Sequence, residues 1–169
     1  MPRIFWFIFT AMLASWLAMN LWTVPQIEAL SGGLRLLDMR FTGYSFDEAQ
    51  TFLAAIGDKG AGLYLGTQFW LDMIFPPLLG AVLFLSYRWL FPGWPGLIIG
   101  SVSLIYVAVD YLENFAIAVM LRTGAENLTV EMVAAANQWT ILKWSFALVG
   151  LVILIVGLLL VVRRRRFSD

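Results

Sequence analysis

A small set of polar side chains falls inside stretches otherwise made of hydrocarbon: Asn20, Gln68, Asp72, Asp110, Glu113, Asn114 and Lys143. Carboxylates beside an ammonium can hold an ion pair, keep or pass a proton, or grip the polar head of a ligand. Asp110 and Glu113 stand three residues apart, on one helical face, where two full negative charges repel. One of them must pair with Lys143, keep a proton, or meet another cation, such as Arg35 or Arg40 folding down from the adjoining loop. The chain has no His and no Cys, so thiol and imidazole catalysis, Fe–S clusters and Cys/His zinc sites are excluded by inventory. Only a hard cation such as Ca²⁺ or Mg²⁺ would suit an all-oxygen set. No metal motif, phosphate loop or nucleophile motif accompanies these residues, so no catalytic residue, no metal and no cofactor is expected.

The elements that must position these groups are membrane helices. Of 169 residues, 61% are hydrophobic and 13% charged, against about 25% charged in a soluble domain. Four stretches approach or exceed the roughly 20 apolar residues a bilayer crossing requires: about 4–24, 63–90, 96–121 and 132–162. The first ends at Pro25. It is too long and too aromatic for a cleaved signal peptide. The fold expected is all-α, a single polytopic four-helix bundle over 1–169, without repeats or a second domain. A short amphipathic helix at about 45–57 lies between the first two spans. Ser45 and Glu48 form its capping box, and Gly57 stops it. Phe46, Ala49, Phe52, Leu53 and Ile56 share one face, so the helix should lie flat on the bilayer or across the mouth of the bundle. Thr129, or alternatively Asn127, caps the fourth span.

Basic residues set the orientation. Arg3, Arg88 and the arginine run at 163–166 sit on very short segments, which places both termini in the cytoplasm. Arg35, Arg40, Lys59 and Arg122 then lie in longer outer loops beside most of the acids. The arginine run reads as an anchor at anionic lipid, and a bacterial cytoplasmic (inner) membrane is the expected home. Equal numbers of basic and acidic residues, 11 each, leave no nucleic-acid-binding signature.

Depth ties the polar groups together. At ~1.5 Å per residue, Asp72 stands about 27 Å from the cytoplasmic end of its helix, Asp110 about 21 Å and Glu113 about 26 Å. Lys143 stands at about 28 Å and Asn20 at about 24 Å. Four helices thus offer polar groups at one level. Tyr64, Gln68, Asp72 and Pro76 form one stripe, and Ser103, Tyr106, Asp110 and Glu113/Asn114 another. Lys143 shares a face with Ala147, Gly150, Leu154 and Gly157, small residues that let helices approach. Pro76 and Pro77 remove the donors to the carbonyls of Asp72 and Met73. Those oxygens either join the acidic layer or are satisfied by neighbours at an ordinary kink.

The expected function is that of an accessory, assembly or hydrophobic-ligand-binding component of the membrane, alone as a homo-oligomer or within a larger complex. Two alternatives are a proton- or cation-coupled transporter working as a homo-oligomer, and an intramembrane acid–base enzyme acting on a lipid or isoprenoid.

Overall fold

The computed structural model describes residues 2–166, with side chains described to residue 163. Every regular element among them is helical. In chain order these are α1 (Arg3–Ala18), a π turn (Met19–Thr23), α2 (Val24–Leu30), a 3₁₀ turn (Leu37–Met39), α3 (Phe46–Leu63), a second π turn (Tyr64–Gln68), α4 (Phe69–Leu90), α5 (Trp94–Thr123) and α6 (Val130–Arg166). They make four helices long and apolar enough to cross a membrane. The side chains of 164–166, three of the four arginines in the terminal basic run, lie outside the described residues.

The first long helix does not end at Pro25 but continues to Leu30. The π turn widens the coil just before the ring, and Pro25 enters the first turn of α2, where a missing N–H costs little. The second long helix likewise starts earlier than position 63. Phe46–Leu63 is one helical segment bent at Gly57, whose φ of 59° and ψ of 177° break the helix for a single residue. Gly57 therefore ends the amphipathic turns and also launches the membrane helix. Both halves of the Ser45–Glu48 capping box form, with Ser45 N donating to Glu48 Oε2 at 2.7 Å and Glu48 N to Ser45 Oγ at 3.2 Å. The third and fourth helices gain about a turn over the expected spans. Thr129, rather than Asn127, caps the fourth, its Oγ1 accepting from Met132 N at 3.3 Å.

Packing runs α1 on α4, α4 on α5 and α5 on α6, with α6 also touching α4. Close approach of the last pair depends on small residues. Tyr87 donates to the Gly150 carbonyl at 2.7 Å, and Gly157 faces the Leu90 and Phe91 side chains. Hydrocarbon faces outward, with Phe7 73% and Leu21 75% exposed, whereas Gln68, Glu113 and Thr140 are wholly or almost wholly buried. That inversion is what a lipid solvent selects.

The conventional apolar core sits at one end of the bundle. There Ala49, Phe52, Leu53 and Ile56 pack with Ile27, Leu36, Leu37, Met120 and Ala136. The segment before the Gly57 bend thus caps that end, and Gln50 Nε2 reaches the Ala125 carbonyl at 3.3 Å. The stretch between α2 and α3, residues 31–45, is strapped onto the fourth helix: Tyr44 N donates to Asn137 Oδ1 at 2.9 Å. Gly43, at φ 85°, makes this approach possible because a β-carbon would collide with Asn137 and Ile141.

Candidate functional site

The two π turns touch each other, and both contribute to one polar network. Thr23, at the end of the first, donates to Gln68 Oε1 at the end of the second. Gln68 then donates from Nε2 to Asp72 Oδ2 at 2.7 Å. A π turn holds an extra residue in the helix, and such bulges concentrate where side chains are re-aimed for a purpose. Here they turn Thr23 and Gln68 inward, where both are buried.

The third helix supplies the next links. Asn114 Nδ2 bridges Asp110 Oδ1 at 3.1 Å and the carbonyl of Asp72 at 3.3 Å. The Tyr111 hydroxyl donates to the Met73 carbonyl at 2.9 Å. Both carbonyls freed by Pro76 and Pro77 are thus satisfied by the neighbouring helix, so the proline pair is an ordinary kink and adds no free oxygen ligands. Among the described residues, no group of three or more Asp/Glu side chains is arranged to hold a metal ion.

Glu113 is fully buried and forms an ion pair with Lys143 through Oε2. Its Oε1 finds no hydrogen-bond donor among the described residues. Lys143 also donates to the carbonyl of Asp38 at 3.1 Å, an oxygen shared with Trp144 Nε1 at 3.0 Å. Asp38 comes from the strap, and its carboxylate accepts from the Tyr64 hydroxyl. The loop therefore delivers an acid to the site, not a cation. Arg35 is exposed. Arg40 turns back to the Arg35 carbonyl at 3.0 Å and faces Glu48 at 3.6 Å, and it is not among the residues lining the cavity described below.

Of the residues expected from the sequence, Gln68, Asp72, Asp110, Glu113, Asn114 and Lys143 all join this network or its ion pair. Asn20 does not. Its Nδ2 donates to the Trp16 carbonyl of its own helix at 2.9 Å, which satisfies the amide locally, although the residue borders the cavity described next. Asp38, Thr23 and Trp144 also belong to the site, though nothing in the sequence marks them. Asp38 carries no such signal, since an acid in a loop is ordinarily exposed.

The network encloses a cavity of about 120 Å³. Asp38, Asp72, Asp110 and Lys143 supply its charged wall, with Gln68 and Tyr106 beside them. Trp16 and Asn20 of the first helix border it on one side, Trp144 and Ala147 of the fourth on the other. Those two helices share no packed interface among the described residues, and Trp16 and Trp144 are 44% and 37% exposed. The first and fourth helices thus both border the cavity without packing on one another, and each offers a partly exposed tryptophan there. Comparison with protein-family models, curated proteins and solved structures gives no match.

Proposed function

We propose that the protein is an integral membrane binding component that takes the polar head of a membrane-borne amphiphile into the cavity while the apolar tail stays in the bilayer. What supports this reading is that the charged wall lies between the first and fourth helices, which do not pack on one another and which each place a partly exposed tryptophan beside it, the arrangement of a lateral mouth. A purely structural polar cluster would be closed by side chains, since buried charges are costly wherever they lack partners. Trp16 and Trp144 suit the mouth, because indole presents an apolar body with one polar N–H, and that of Trp144 is already engaged.

The proposal includes an orientation. Short segments rich in Arg place both termini in the cytoplasm, so the strap, the helix before Gly57 and the cavity belong to the outer half of a membrane of the bacterial inner type. The bilayer is then the partner from which the ligand arrives.

The test is amphiphile binding by the full chain in lipid nanodiscs, with Ala147→Trp to fill the mouth and Leu148→Trp as a lipid-facing control. At least tenfold weaker binding in A147W alone supports the reading. Equal binding by both variants overturns it. Purification in mild detergent separates this reading from an assembly role, which requires stable co-purification with a larger complex.

A further inference from the structure

The charge arrangement of the wall identifies the kind of head the cavity accepts. Resting on the binding role proposed above, we infer that the ligand carries a cationic head group, an alkylammonium or similar lipophilic amine.

The argument is one of charge against partners. Three aspartates line the cavity, and each is held by neutral donors: Tyr64 for Asp38, Gln68 for Asp72 and Asn114 for Asp110. Neutral donors satisfy lone pairs without cancelling charge. None of the three is in a salt bridge among the described residues. The wall's one cation, Lys143, is already matched by Glu113 from behind and tied to the Asp38 carbonyl.

A second observation points the same way. Glu113 stands outside the cavity lining and takes up the charge of Lys143 from the far side, so that cation does not offset the three aspartates of the wall. The cavity wall therefore carries more acids than cations. A buried carboxylate without an ion partner, as each lining aspartate is, holds a proton or acquires a cation. An incoming ammonium supplies both the charge and up to three N–H donors.

Other head groups fit poorly. A phosphate or carboxylate head needs donors and positive potential, and would meet three aspartates and a lysine already engaged. A sugar head could donate hydroxyls, but would leave the charge uncompensated. The aromatic frame favours a cation again, since indole faces attract ammonium groups, and Lys143 Nζ itself lies 5.7 Å from the Trp144 ring centre.

The experiment uses the full-length protein in nanodiscs and three probes sharing one fluorescent alkyl chain, with ammonium, glucosyl or phosphate heads. The ammonium probe should bind at least tenfold more tightly than either of the others. Asp110→Asn and Asp72→Asn, which keep amide-sized side chains, should each remove most of that preference, whereas Asp47→Asn on the exposed face of α3 should not. If the variants do not fold, the wild-type ranking of the three heads decides alone. Equal or tighter binding of the glucosyl or phosphate probe overturns the cationic assignment and leaves the lateral-entry reading standing. Binding of none of the three removes both.

Discussion

At the scale of single residues, the site is an ion pair surrounded by acids held by neutral donors. Its energetics are asymmetric. Removing one member of a buried pair strands the other, at a cost of about 3–5 kcal/mol, whereas replacing both with apolar residues of similar size is often neutral. Glu113→Gln should therefore lower the thermal stability of the detergent-solubilised protein sharply, and Glu113→Leu combined with Lys143→Met should restore most of it. A double variant as unstable as the single one would show that the pair is not coupled. Most of the site's chemistry was legible in the sequence, because an ionisable residue within an apolar run has few tolerable places to go. Asn20 and Asp38 show the limits of that logic. An amide can be satisfied by its own helix, so depth alone does not place it in a network. A loop residue has no helical period from which its direction can be read, so nothing local in the sequence separates the buried acid at position 38 from the arginines at 35 and 40.

Elements carry the second kind of information. Proline at position 25 signals the end of a helix, and the chain instead inserts a π turn and goes on. Periodicity cannot reveal this, because a π turn shifts the face by about one residue and leaves composition unchanged. The bend at Gly57 is a firmer case. Its backbone angles lie in a region open in practice to glycine alone, and nothing approaches within 4 Å of where a β-carbon would sit. Gly57→Ala should thus cost about 1–3 kcal/mol from backbone strain alone, read as a lower melting temperature. Asn, which tolerates ordinary left-handed turns, should do no better there. Gly96 tests the opposite case, since its conformation is ordinary but a β-carbon would strike the Phe91 carbonyl. Gly96→Ala should loosen the turn between the second and third helices, seen as faster hydrogen exchange confined to that turn.

For the whole molecule, the long helices were readable from hydropathy, and their mutual arrangement was not. Nothing in the sequence shows that the first and fourth share no packed interface while each long helix packs on its neighbour in sequence. Orientation is directly testable because the chain has no cysteine. Thr42→Cys on the strap and Pro92→Cys in the turn after α4 are both at exposed positions. An impermeant maleimide applied to intact cells should label the first and spare the second, and the reverse pattern would invert the proposed topology. The bond from Lys143 to the Asp38 carbonyl has a further consequence, for synthesis. Its partners are 105 residues apart, and at about 5–20 residues per second the ribosome needs roughly 5–20 s to bridge that interval. Throughout that time the strap has emerged without the helix that fastens it. Nascent chains stalled before residue 143 should be cut by external protease within residues 31–45, and chains released at full length should resist.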